Sequence, residues 1–213
     1  MTWLEKIREG ATAIVYKVQI AYDLTSHCAL PGPKTYAVKQ YKPGYTRSFH
    51  QETAAYTRIA QMCSSSAITR CFGTFNYSHA NGRESFNLLL ELASGNLWDY
   101  MRCIPPPTTF FHIKKAYSQI CELPAGLDGF HQPGPAEAAK RYGRHGDINP
   151  GNVLWFKDCD DEQPSLWGST LKIADFGQAE LLLLQGRAKP RSEASTMTYS
   201  KSTLLCTLTL LTM

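Results

Sequence analysis

Residues 144–156 read RHGDINPGNVLWF, and residues 171–180 read LKIADFGQAE. In the first stretch Asp147 and Asn152 enclose four residues of a polar turn ahead of the apolar run VLWF; in the second, Asp175 and Gly177 follow the apolar run LKIA. Two carboxylates and a carboxamide at neighbouring strand ends form a hard-oxygen site, the donor type suited to magnesium and phosphate. Each piece alone is common, because a lone Asp in a turn usually makes an Asx-turn or a cap. Their order and joint presence make the pattern specific.

Upstream, IVYKVQI alternates Ile14, Tyr16, Val18 and Ile20 with Val15, Lys17 and Gln19, a period of two that predicts a half-buried strand. TYAVKQY repeats it, with Ala37 and Lys39 on one face and Val38 on the other, after a turn at Pro31, Gly32 and Pro33. Residues 47–63 switch to a helical period that places Tyr56, Ile59, Ala60 and Cys63 on one face, with Glu52 one turn earlier. An unpaired carboxylate on a packing face costs several kcal/mol. Glu52 therefore either pairs with a cation, for which Lys39 is best placed, or sits at the rim of the stripe in solvent.

Farther along, FNLLLELASGNLWDYM predicts a buried strand at Leu88–Leu92, a turn at Ser94, Gly95 and Asn96, and a helix. A second long helix carries Ile113, Tyr117, Ile120 and Leu127 in register, with a kink expected at Pro124 and Gly126. Residues 132–144 and 158–170 read as surface insertions. The acidic second one suits a solvated hairpin connection better than a metal site, since its carboxylates are nearly consecutive.

With 213 residues, the chain has room for one domain or one two-lobed unit with a real core. Its net charge of +4 forms no basic stripe, which argues against nucleic acid and anionic membranes as partners. Seven scattered cysteines without a Cys-x-x-Cys pair argue against a disulfide framework or a zinc knuckle and suggest reduced, mostly buried thiols. No basic-then-apolar leader and no run of about 18 apolar residues is present, so the expected location is intracellular, cytoplasmic by default.

The chain resembles the eukaryotic protein kinase family over roughly residues 4–200, most closely at Tyr36–Glu52, Leu88–Asp99 and His145–Gly177. The resemblance implies an α+β, two-lobed protein-kinase-like fold. Residues 1–92 would form a small nucleotide-binding lobe, an antiparallel β-sheet with one helix; residues 93–213 would form an incomplete, mainly helical large lobe. It implies ATP and Mg2+ as cofactors and phosphoryl transfer to a protein substrate, at Ser or Thr hydroxyls. By this resemblance Lys39 grips the α and β phosphates with Glu52 as its helix partner, Asp147 orients the acceptor hydroxyl and accepts its proton, and Asn152 and Asp175 hold the metal. Gly10 belongs to the phosphate loop, Val15, Ala37 and Leu154 sandwich adenine, Glu91 and Ala93 match the hinge that hydrogen-bonds the base, and Leu90 is the gatekeeper. Ordinary core packing would satisfy the apolar members of this set equally well. His145 is expected to brace the catalytic loop by hydrogen bonds, not to act as acid, base or ligand.

Four departures qualify the resemblance. The family's Gly-x-Gly-x-x-Gly-x-Val loop is here Arg8, Glu9, Gly10, Ala11, Thr12, Ala13, Ile14, Val15, so one glycine of three remains and weaker nucleotide binding is expected. Gly146 replaces the catalytic-loop arginine that would pair with a phosphorylated activation loop. Asn149 stands where Ser/Thr kinases carry a lysine directed at the transferred phosphate, which removes one charge from the transition-state clamp. Lastly, no counterpart of the Ala-Pro-Glu anchor or the later helices follows Gly177; STMTYS (195–200) is a weak echo of the stretch before that anchor, and LLCTLTLLTM (204–213) reads as an altered, aggregation-prone end. Two other functions stay open: a catalytically dead pseudokinase that binds nucleotide or a partner, and a small-molecule phosphotransferase of the aminoglycoside and choline type, whose His-Gly-Asp-x-x-Pro-x-Asn loop HGDINPGN also resembles.

Overall fold

The computed structural model describes residues 1–20, 35–62, 66–78, 82–103, 105–131, 141–157 and 170–183. It is an α+β structure with an antiparallel sheet and few helices. The turn at Pro31–Pro33, Cys63, most of the two expected insertions and the C-terminal stretches after Leu183 lie outside the described residues.

Five strands form the first sheet: β1 (Thr2–Glu9), β2 (Ala13–Gln19), β3 (Thr35–Tyr41), β4 (Cys71–Ser78) and β5 (Glu84–Glu91). Their order is β1-β2-β3-β5-β4, and every pairing is antiparallel. The period of two in β2 and β3 separates two apolar layers. Tyr16, Val18, Tyr36 and Val38 pack with Phe72, Phe75 and Leu89 on one face. Ala13, Val15, Ala37, Tyr41, Leu88 and Leu90 belong to the main core on the other. The outer strands β1 and β4 were not singled out by pattern. β1 is exposed along its whole length, so no alternation of burial marks it.

Helix α1 (Thr46–Met62) covers the main-core face. Its buried stripe is Phe49, Glu52, Ala55, Tyr56 and Ile59. Ala60, expected on that stripe, is exposed, because the stripe turns toward Ala55. After β5 come β6 (Gly95–Asn96), α2 (Leu97–Cys103), α3 (Phe110–His131), β7 (Arg141–Arg144), β8 (Val153–Phe156), β9 (Thr170–Ile173) and β10 (Glu180–Leu183). Strands β6, β8 and β9 form a small sheet in that order, and β7 pairs with β10. The expected insertion at 132–144 therefore ends in a strand, Arg141–Arg144, whose packing depends on a close approach: a Cβ on Gly143 would stand 2.5 Å from the Phe130 ring of α3. Two backbone hydrogen bonds tie the halves together, Thr69 N–H to the Ile173 carbonyl (2.9 Å) and Ile173 N–H to the Ala67 carbonyl (2.8 Å).

Helix α3 continues through Pro124, where the imide nitrogen has no hydrogen to donate. Its register is split: Leu127 and Phe130 are buried, whereas Ile113, Tyr117 and Ile120 are exposed. The free thiols of Cys71 and Cys121 are half-buried and exposed, so the expected burial fails at Cys121. No helix of the described residues is long and apolar enough to cross a membrane.

Candidate functional site

Phe176 anchors the site from below. It is fully buried and packs edge-on against Tyr56 of α1 (5.3 Å between ring centroids) and Phe130 of α3 (5.4 Å), and lies 4.5 Å from the His145 ring. Burying a phenylalanine is worth roughly 1.5–3 kcal/mol, and here one ring fixes three elements around the residue before it. Asp175 caps the turn Phe176–Gln178 in the left-handed region, at φ +63°, a conformation that Asp tolerates better than most side chains. Its Oδ1 accepts from the Gly177 N–H (3.2 Å) and from the Lys39 ammonium (2.8 Å).

Lys39 also donates to Oε2 of Glu52 at 2.6 Å, so one ammonium joins β3, α1 and the segment after β9. The alternative of a solvated Glu52 is thereby excluded: the residue is 0% exposed. Tyr41, two residues from Lys39 on the same face of β3, donates its hydroxyl to the same Oε2. Burial acts to lower the Lys39 pKa, but the two carboxylates outweigh it and hold the ammonium above its ordinary value. Burial lifts the Glu52 carboxyl above its ordinary value despite Lys39. Burial would lift Asp175 too, but Lys39 and the Gly177 N–H pull it below the usual carboxylate range. The Tyr41 and Tyr56 hydroxyls are pushed up, first by burial and then by the Glu52 charge.

The second half of the site is the loop between β7 and β8. Asp147 is exposed, and amides hold it: Asn149 Nδ2 donates to Oδ1 (3.0 Å) and Asn152 Nδ2 to Oδ2 (2.9 Å). Asn149 also caps the turn Pro150–Asn152, accepting from the Gly151 N–H at 2.9 Å. Val153 of β8 pairs with Ile173 of β9, and the Ala174 N–H donates to the Asn152 carbonyl (2.8 Å), which brings the Asn152 and Asp175 segments side by side. Asn152 Oδ1 and Asp175 Oδ2 remain as oxygen donors. No group of three or more His, Cys, Asp and Glu side chains suited to a metal occurs among the described residues, so any magnesium here would need phosphate or water oxygens to complete its shell.

His145 makes the hydrogen bonds expected of it. Its Nε2 lies 3.0 Å from the Ala174 carbonyl, and its Nδ1 accepts from the Asp147 N–H at 3.3 Å. This network fits a neutral ring protonated on Nε2, and burial holds its pKa below the ordinary value. Gly146, beside it, adopts φ +83°, and a Cβ there would stand 2.7 Å from the Gln178 carbonyl oxygen. Only glycine fits this backbone.

The residues expected to face a nucleotide divide. Val15, Ala37 and Leu90 share the main core, and Ala37 lies opposite Leu90 across β3 and β5. Leu154 lies on the small sheet, opposite Lys172. Gly10 closes the β1–β2 turn through its N–H to the Ala13 carbonyl (2.9 Å), and a Cβ there would make only an ordinary contact, so the turn itself does not demand glycine. The Glu91 N–H is engaged by the Arg70 carbonyl (3.0 Å), and its carboxylate binds Lys172 at 2.7 Å and the Arg70 N–H at 2.6 Å. Ala93 makes no backbone hydrogen bond among the described residues. Sequence reasoning missed Tyr41 and the Glu91–Lys172 bridge. The alternation that placed Ala37 with Lys39 extends to Tyr41 and would have found it.

No protein-family model matches the chain, and no curated protein matches it.

Proposed function

We propose that this chain is a divergent protein-kinase-like domain that transfers the terminal phosphoryl group of ATP to a Ser or Thr hydroxyl of a protein. The carrying observation is the buried Lys39 ammonium, which holds Glu52 at 2.6 Å and Asp175 at 2.8 Å in one cluster. Lys39 would meet the α and β phosphates. The hard oxygens of Asp175 and Asn152 fit Mg2+, which when bound would neutralise charge on the phosphates. Asp147 would orient the acceptor hydroxyl. As the hydroxyl oxygen bonds to the terminal phosphorus and the bond to the bridging oxygen breaks, ADP leaves and the acceptor proton passes to the Asp147 carboxylate.

The test is magnesium-dependent phosphate incorporation into protein by the wild type and by Asp147→Asn. We expect a loss of at least about 100-fold, the scale of general acid–base contributions. Equal incorporation by both would remove Asp147 from the mechanism. Phosphorylation of an amino alcohol or aminoglycoside, and not of protein, would move the chain to the small-molecule phosphotransferases. A second reading, nucleotide binding without transfer, is favoured by the neutral Asn149, whose side chain is spent on the loop itself. Stabilisation by Mg-ATP and ADP in thermal-shift measurements, with no turnover, would support it.

A further inference from the structure

Lys39 is already bonded to Glu52 and Asp175, and the loop adds a carboxylate at Asp147 and a neutral amide at Asn149. Beyond the charge that Mg2+ would bring, a polyphosphate entering this site meets a single cationic side chain among these residues. We propose that Arg8 supplies the missing cation, its guanidinium binding the terminal phosphate of the nucleotide beside Asn149. This assignment rests on the phosphoryl-transfer reading for the identity of the ligand.

Arg8 departs from the family pattern because it replaces a glycine of the phosphate loop, and the structure places its side chain across the cleft. Its Nη1 lies 3.5 Å from the Gly151 carbonyl oxygen, the outer limit of a hydrogen bond, although the two residues are 143 positions apart. A Cβ on Gly151 would stand 3.8 Å and 3.9 Å from the two terminal guanidinium nitrogens and 3.0 Å from Asn149 Oδ1. The guanidinium and the Asn149 carboxamide thus border the same small space. The pairing of β1 with β2 shifts register between Lys6 and Arg8, an irregularity of the kind that re-aims a side chain out of the strand's alternation.

Charge pairing singles out the same residue. Lys6 and Lys42 bind Glu9 (3.1 and 2.7 Å), and Lys17 binds Glu5 (3.3 Å). Arg8 has no carboxylate partner among the described residues, and most of its five N–H donors are unused. A guanidinium with open donors in a fork suits a phosphate, which it can bind through two parallel hydrogen bonds. Asn149 and Arg8, two separate departures in the sequence, then compensate each other.

The experiment is calorimetric titration of the full chain with Mg-ATP and with adenosine, for the wild type, Arg8→Gln, Arg8→Lys and Arg8→Gln/Asn149→Lys. One lost charge-assisted hydrogen bond predicts a weakening of Mg-ATP by about tenfold or more in Arg8→Gln. Adenosine should change by less than about twofold, a difference too small to reflect a lost hydrogen bond. Arg8→Lys, which keeps the charge but not the fork, should recover part of the Mg-ATP affinity lost in Arg8→Gln, and Asn149→Lys should restore affinity to Arg8→Gln. Equal weakening of both ligands, or of neither, overturns the proposal. If Arg8→Gln transfers phosphate and binds Mg-ATP like the wild type while Asp147→Asn is inactive, Arg8 falls and phosphoryl transfer stands. Arg8-dependent binding of Mg-ATP without transfer by the wild type gives the opposite result. A folded wild type that binds no Mg-ATP overturns both.

Discussion

Glu52 and Asp147 are carboxylates of one candidate site held in opposite ways. Glu52 is sealed between β3 and α1 with an ammonium and a phenol on the same oxygen, while Asp147 stands in solvent and receives only neutral amides. A buried charge must be matched on the spot, so the Glu52 side is built for rigidity. An exposed carboxylate can exchange its amide partners for an incoming ligand, which the proposed role of Asp147 requires. The comparison predicts that substitutions around Lys39 change stability, and that substitutions in the Asp147 loop change activity with little change in stability.

The most severe test is Lys39→Met, which strands Glu52. We expect a loss of about 3–5 kcal/mol in denaturant unfolding at pH 7, largely recovered in Lys39→Met/Glu52→Leu. The single-variant loss should shrink toward acid, because burial raises the Glu52 pKa and the stranded carboxyl takes up a proton in the folded state. A loss under about 1 kcal/mol, the value of an exposed pair, would break the contrast. Tyr41→Phe keeps the ring against Phe49 but removes the hydroxyl from the Glu52 carboxylate; unfolding should show a cost of about 1.5–3 kcal/mol.

His145 sharpens the comparison from the boundary between the two sides. Its folded pKa lies below the ordinary 6.5, so the stability it contributes is complete above pH 6.5 and is lost as pH falls from there through the folded value. The wild type minus His145→Gln difference should fall in that window, by no more than about 1.4 kcal/mol per pH unit for one proton. The smallest effect belongs to the loop: Asn149→Ala removes the cap on Pro150–Asn152 and should cost about 1 kcal/mol or less in unfolding.

The sequence revealed the parts of the molecule that bury something. β2, β3, β5 and α1 each turn an apolar face to the core, and the same periodicity put Glu52 on a packing face with Lys39 as its best-placed partner, leaving a solvated rim position as the alternative. Where burial does not alternate the pattern fails, so β1 was not individually visible, and the basic, glycine-containing β7 passed for an insertion. In α3 the pattern marked Ile113, Tyr117 and Ile120, which are exposed, since periodicity names a side of a helix and not how deeply it is buried. At the site, local spacing singled out Asp147, Asn152 and Asp175, and the fold brings the Asn152 and Asp175 segments side by side. It could not show Arg8 crossing the cleft, which depends on an irregularity in β1 and on a residue 143 positions away.

Gly146 carries a consequence for engineering the chain. Placing an arginine at this position by a single substitution would push a Cβ to 2.7 Å from the Gln178 carbonyl oxygen, at a backbone angle that L side chains rarely adopt. The segment after Asp175 would have to move first, and that segment is fixed by Phe176. Any side chain at position 146 therefore calls for a remodelled core, not a local adjustment.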